Sequence, residues 1–258
     1  MATLRDIETA IFELAPRELA MEWDNVGLLA GRPDREAVKI LVALDVTEWV
    51  AEEAIEIGAN LIVSHHPVMN CAWRPVQTVR DDDPQGRLLL RLIESGVGVV
   101  CMHTNLDAAE GGVNDALAAR LGLRGVEKLE GGDGILRAGT VAEQTCGSFA
   151  ASVKKALGAG SVRFTDSGGP VRRVAVGGGA CGGYFRAAAQ AGCDALVTAD
   201  VKYDQFLDAK ALGLMLLDAG HFPTENVVCP VLADYLRRRF PGVEVVDSRR
   251  HREVFDCL

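Results

Sequence analysis

The stretch KILVALDVTEWVAEEAIEIGANLIVSHHP, residues 39–67, decides the fold class. It opens with a short apolar run that ends at Asp45, the composition of a strand buried on both faces. Thr47 can then cap a helix through EWVAEEAIEIG, which Gly58 closes. A second apolar run, ANLIVS, breaks off at His65, His66 and Pro67. Strand, helix and strand in that order, without an alternating polar face, predict parallel strands in a two-sided α/β sheet.

The same pattern extends in both directions. After a longer loop over residues 67–84, GRLLLRLIESG reads as a helix, VGVVCMHTNLD as a third strand with its exit loop, and GVNDALAARLGL as another helix. Upstream, Leu4, Ile7, Ile11 and Leu14 recur at helical spacing until Pro16, and WDNVGLLAG (23–31) reads as irregular. The Gly-rich, polar stretch at 125–140 is the expected domain boundary. It separates a first α/β domain, 1–125 completed by 226–258, from a second over 126–225. Within the second, SVRFTDSGGPVRRVAV (161–176) reads as hairpin-like, and strand–helix–strand alternation returns through CDALVTAD and LMLLDAGH.

The two halves look alike. GANLIVSHH (58–66) lies over GCDALVTAD (192–200), the preceding runs ILV (40–42) and VAV (174–176) fall at the same offset, and His103 has a looser counterpart in His221. Duplication and shared βαβ packing both account for this. Under either, polar residues gather at the C-terminal ends of strands, where open α/β sheets place their sites.

At 258 residues the chain is one large or two modest domains. Its 27 Lys+Arg against 36 Asp+Glu give a net charge of −9, which disfavours binding to a nucleic-acid backbone. The basic pairs at 172–173 and 249–250 and the run at 237–239 read as solvated faces. No apolar run is long enough to span a membrane, and the acid-bearing amphipathic N-terminus is unlike a secretory signal. Seven scattered cysteines without a C-x-x-C suit reduced thiols, so a cytoplasmic location is expected.

Four of the five histidines follow apolar strands: His65 and His66 after NLIVS, His103 after GVVCM, and His221 after LMLLDAG. One histidine at a strand exit is ordinarily a hydrogen-bonded loop residue. Two adjacent ones before a proline, with HTNLD (103–107) and HFPTE (221–225) at two other exits, form the imidazole and carboxylate set of Zn, Mn, Fe and Co sites. Asp107 alone would be a turn residue, and Glu225 has an ordinary reading too. With Thr224 as N-cap, Glu225 would open the next helix, where the dipole favours a carboxylate. Adjacent residues in extended chain point to opposite sides, so His65 and His66 would serve two ions or converge only through a turn.

Three imidazoles (His65, His66, His221) and two carboxylates (Asp107, Glu225) exceed one open mononuclear site and fall short of saturating two ions. Two divalent ions with unfilled positions are the mark of a hydrolytic centre. The net positive charge they retain suits an anionic substrate. His103 is then the expected proton-transfer residue. The run GGGACGG (177–183) lacks the Lys-Ser/Thr of a phosphate loop and reads as a tight turn with close packing.

Taken in order, WDNVGLLAG, ALDVT, IVSHHP, HTNLDAAEGGVNDALA, VAVGGG, TADVKY and DAGHFPTE resemble the Nif-three-like family of dinuclear-metal-centre proteins, often labelled type 2 GTP cyclohydrolase I homologues. The resemblance runs from about residue 3 to 255. It implies two interlinked α/β domains with mostly parallel sheets, a toroidal homohexamer, and two metal ions in the interdomain cleft of each protomer. The implied ligands fall on His65, His66, Asp107, His221 and Glu225. The family often has Gly where Ala199 stands and His where Asp204 stands, which puts any role for position 204 in doubt.

The expected function is a dinuclear metal-dependent hydrolase of a nucleotide-like or other anionic small molecule, by GTP cyclohydrolase-type ring opening or phosphoester hydrolysis. Asn25 and Asn105 are candidate substrate or supporting contacts, and Asp45 either reaches the site from the first strand exit or serves only the turn into the following helix. The alternative is a metal-binding scaffold or regulator without catalysis.

Overall fold

The structure is a computed structural model, and it describes residues 1–71 and 75–258. Residues 72–74 of the loop expected over 67–84 lie outside the described residues. The strands, in chain order, are β1 (Gly27–Ala30), β2 (Lys39–Ala43), β3 (Leu61–Ser64), β4 (Gly98–Cys101), β5 (Arg124–Lys128), β6 (Arg137–Gln144), β7 (Arg163–Phe164), β8 (Val171–Val176), β9 (Ala195–Thr198), β10 (Met215–Asp218) and β11 (Glu244–Asp247). They form two mixed sheets that are parallel at their centres, ordered β1-β4-β3-β2-β11 and β5-β6-β8-β9-β10-β7. Two compact units result. The first is Met1–Ala109 with Cys229–Arg252, and the second is Glu110–Val228 with Glu253–Leu258.

In the first unit, β11, β2, β3 and β4 run parallel, and β1 closes one edge antiparallel to β4. WDNVGLLAG is therefore not wholly irregular, since its last residues supply that edge. Leu41, Ile62 and Val99 pack with Val50, Ala51 and Ala54 of the helix Glu48–Glu56 and with Leu88, Leu89 and Leu92 of the helix Pro84–Glu94. The side chain of Thr47 accepts from the Val50 amide and caps the first of these helices, as its position in the sequence predicts. Each Val, Leu or Ile side chain among them, when fully buried, contributes about 1.5–3 kcal/mol.

The second unit is built alike around β8, β9 and β10, which are parallel neighbours. Val174, Val197 and Leu217 pack against Phe149 and Val153 of the helix Cys146–Leu157 and against Leu117. The unit boundary falls at Ala109 and Glu110, upstream of the Gly-rich 125–140. The helix Val113–Arg120 gives Leu117 and Ala118 to the second core, and β5 pairs with β6, so the Gly-rich stretch joins two strands of one sheet. The expected hairpin over 161–176 does not form. The short β7 pairs antiparallel with β10, while β8 pairs with β6 and β9.

Register positions the exits. Ala43 pairs with Ser64 and Ser64 with Cys101, so β2, β3 and β4 end level and their next residues emerge side by side. The second unit repeats this, with Val176 opposite Val197 and Thr198 opposite Asp218. The two aligned segments of sequence, GANLIVSHH and GCDALVTAD, carry corresponding strands, β3 and β9. None of the seven cysteines is disulfide-bonded; six are buried and Cys257 is exposed. Among the described residues no helix is long and apolar enough to cross a membrane.

Candidate metal centre

In the first unit the level strand ends bring three imidazoles together. Because β3 stops at Ser64, His65 and His66 lie beyond the extended chain. The Ser64 hydroxyl donates to the His66 carbonyl at 2.9 Å, and the His66 amide donates to Leu44 O at 2.9 Å. This turn overrides the strand alternation that would part the rings, and their centroids lie 5.0 Å apart. His103, just past β4, has its ring centroid 5.3 Å from that of His65 and 5.6 Å from that of His66. One ligand atom from each of the three lies within 4.8 Å of the others, close enough to hold a metal ion. Asp107, in the helix Thr104–Ala108, brings Oδ1 to 3.6 Å from His65 Nε2.

All three rings are oriented from behind. His65 Nδ1 lies 2.9 Å from the Met102 carbonyl, which can only accept, so Nδ1 carries the proton. His66 Nδ1 donates to Asp45 Oδ1 at 2.8 Å, and His103 Nδ1 donates to Asp24 Oδ1 at 2.8 Å. In each neutral ring the lone pair therefore sits on Nε2. This is the pattern of metal-binding histidines, whose second nitrogen is tied to a carboxylate or a backbone carbonyl.

The two supporting carboxylates are held ionised. Burial alone would raise the Asp24 carboxyl, but the bond and charge of His103 and bonds from the Thr104 hydroxyl and amide lower it to about 2. Burial likewise opposes ionisation of Asp45, and bonds from His251 and His66 outweigh it, holding this carboxyl well below the usual range.

Asp45 thus reaches the site through His66. Asn105 is fully buried; its amide donates to Ala15 O at 2.7 Å and its Oδ1 accepts from the His103 amide at 3.0 Å, so it supports the backbone of His103. Asn25 Nδ2 donates to Met69 O at 2.9 Å.

The second unit carries a smaller donor set. The helix His221–Glu225 starts right after the exit of β10, and its i,i+4 spacing places His221 Nε2 3.0 Å from Glu225 Oε2. Thr224 is not an N-cap. The helix begins three residues earlier, and the Thr224 hydroxyl donates back to Gly220 O at 2.8 Å, so Glu225 closes this helix instead of opening the next. Asp200, past the end of β9, brings Oδ2 to 2.6 Å from His221 Nδ1. Burial lowers the His221 pKa, but bonds to Asp200 and Glu225 prevail and push it up to about 11. A metal-free His221 is an imidazolium between two carboxylates, and a cation at Nε2 would replace its proton.

Gly179 seals this pair. Its φ is +60°, and a Cβ there would overlap Glu225 Oε1 and approach His221 Nε2 to 3.1 Å. The Gly178 amide donates to Asn114 Oδ1 at 2.7 Å and the Gly179 amide to Thr224 Oγ1 at 3.1 Å. The run 177–183 is thus a close-packed turn whose amides are engaged by side chains. Asp204 is exposed on the first turn of the helix Tyr203–Ala211.

Sequence reasoning did not single out Asp24, Asp200 or His251. Their partners lie 79, 21 and 206 residues away, so no local spacing marks them. The one available signal was that Asp200 follows an apolar strand just as His65 and His66 do.

The sequence profile of the family described as Duf34/NIF3 (NGG1p interacting factor 3) matches residues 2–253. A Clostridium perfringens protein named GTP cyclohydrolase 1 type 2 homolog is 33% identical over 263 aligned residues, covering 99% of each chain. Among solved structures, a Bacillus cereus protein related to NIF3 superposes with a TM-score of 0.93 at 25% identity, covering 100% of this chain and 99% of the other. A Staphylococcus aureus hypothetical protein gives 0.91 at 29% identity, with 99% of each chain covered.

Proposed function

The chain belongs to the Duf34/NIF3 family, and from that premise we propose that it is a dinuclear metal-dependent hydrolase of a nucleotide-like or other anionic small molecule. His65, His66, Asp107, His221 and Glu225 would hold two divalent ions, of the Zn, Mn or Fe type. The observation that carries this reading is the common orientation of four imidazoles. Nδ1 of His65, His66, His103 and His221 each faces an oxygen acceptor, which leaves Nε2 for ligation in His65, His66 and His221 and for proton transfer in His103. Neutral nitrogens and carboxylates without thiolates match the preference of such ions. When bound, the ions supply Lewis-acid polarisation and activate water at neutral pH.

The residues of the chain supply the rest. His103 presents Nε2 as proton acceptor, while the ionised Asp24 fixes its tautomer and stabilises the imidazolium that forms, as the carboxylate of a Ser-His-Asp triad does. Asp45 orients His66, and Asn105 holds the backbone from which His103 projects. GTP ring opening and phosphoester hydrolysis both fit this equipment, and the name of the curated relatives favours a purine nucleotide for the first assays. The same family reading carries a toroidal homohexamer, and the free cysteines support a cytoplasmic location.

Protein loaded with Mn or Zn, incubated with GTP and a panel of phosphoesters, tests the proposal. Turnover that the His65→Ala/Glu225→Ala double variant loses supports it. Equal background in both proteins would leave a metal-binding scaffold as the function.

A further inference from the structure

The fifth histidine, His251, lies outside every motif quoted above, yet it is buried against the candidate centre of the first unit. Its side chain is 4% exposed. The Leu44 amide donates to its Nδ1 at 3.4 Å, and since an amide can only donate, the ring proton sits on Nε2. Nε2 in turn donates to Asp45 Oδ2 at 3.1 Å. The other oxygen of the same carboxylate accepts from His66 Nδ1 at 2.8 Å. Asp45 is thus gripped by an imidazole N–H at each oxygen, with the two rings in opposite tautomers.

The segment that delivers His251 is itself fastened. Glu53, a buried carboxylate on the helix Glu48–Glu56, accepts from the Ser248 hydroxyl, from the Arg249 amide at 2.8 Å and from the Arg250 amide at 3.2 Å. The Ser248 hydroxyl also accepts from the His251 amide at 3.1 Å, and the Ser248 amide continues the ladder to Val42 O at 2.9 Å. A buried acid that satisfies three donors of one turn holds that turn in a single place.

We propose that His251 is a positioning residue for the metal ligand His66, acting through the shared carboxylate of Asp45. This rests on the metal reading above. By occupying Oδ2, His251 stops the carboxylate from rotating, keeps Oδ1 on His66 Nδ1–H and so keeps the His66 lone pair on Nε2. Loss of a residue directly bonded to a ligand commonly lowers metal affinity by about 10–100-fold. His251 acts one bond further out, and a loss of about threefold to tenfold is expected.

The test uses the full chain and Zn²⁺ as probe, with affinity measured by competition against a chromophoric chelator. His251→Phe keeps the ring volume and removes the donor, whereas His251→Gln keeps an N–H at the position of Nε2. The expected result is weaker Zn²⁺ binding by His251→Phe and recovery to within about twofold by His251→Gln. Unaltered affinity in His251→Phe, or equal loss in both variants, would overturn the inference while leaving the metal reading intact. A wild-type chain that binds no Zn²⁺ would overturn both. Should the variants fold poorly, the ¹⁵N shifts of the metal-free wild-type imidazoles decide instead. His66 is expected protonated at Nδ1 and His251 at Nε2, and any other pair of tautomers contradicts the relay.

Discussion

Asp24 and His103 are 79 residues apart in the chain, and Asp24 Oδ1 accepts the Nδ1 proton of His103 at 2.8 Å. The other carboxylate oxygen accepts from the amide and hydroxyl of Thr104. One acid therefore fixes both the exit of β4 and the first turn of the helix after it. Its side chain is fully shielded from solvent.

This pair makes acid stability measurable. The Asp24 pKa is lowered from 3.8 to about 2, so the folded state binds its proton less readily than the unfolded chain. The resulting stabilisation is present above about pH 4, is lost as pH falls towards 2, and amounts to about 2 kcal/mol at neutral pH. Asp24→Asn should lower the denaturant midpoint at pH 7 and flatten its dependence between pH 4 and about 2. A parallel shift of the whole curve would show that the charge of Asp24 is not what matters.

Gly179→Ala should be disproportionately damaging for the addition of one methyl group. The new Cβ would enter the space of Glu225 Oε1 at a backbone φ of +60°. We expect a loss of about 2 kcal/mol or more in unfolding free energy, with the helix His221–Glu225 displaced. Gly183→Ala, with open space around its Cβ position, is the control and should stay within about 0.5 kcal/mol of wild type. Equal midpoints for the two variants would contradict the packing described for Gly179.

His221 should give up a proton when a divalent ion binds. Its metal-free pKa is about 11, so the ring is charged throughout the neutral range, and ligation requires the Nε2 lone pair. Affinity for Zn²⁺ should accordingly rise with pH across 6–9. Calorimetry in two buffers of different ionisation enthalpy should report release of about one proton attributable to His221. Asp200→Asn removes the bond that most strongly raises this pKa and should reduce the release. Binding without proton release would place the ion elsewhere.

What the sequence discloses and what it conceals have physical reasons. His65, His66, His103 and His221 are legible because each interrupts an apolar run, and a buried parallel strand can end in polar residues only at its exit. Their convergence is less so. It depends on the level register of β2, β3 and β4 and on the Ser64 turn, neither of which leaves a local pattern. β1 escapes notice because four residues at a sheet edge carry almost no periodicity, and the hairpin over 161–176 fails because β7 and β8 each find their partners in strands remote in sequence. Thr224 has the chemistry of a cap, but the helix that starts at His221 had already enclosed it. Asp24, Asp200 and His251 meet their imidazoles only through the fold.

Metal content per chain tests the central claim most directly. Wild type, His66→Ala and Glu225→Ala, each stripped with chelator, reconstituted with Zn²⁺ and freed of excess, are to be compared by elemental analysis against protein concentration. Two equivalents in wild type and no more than one in either variant is the expected result. Fewer than one equivalent in wild type, or variants that retain as much as wild type, would contradict it.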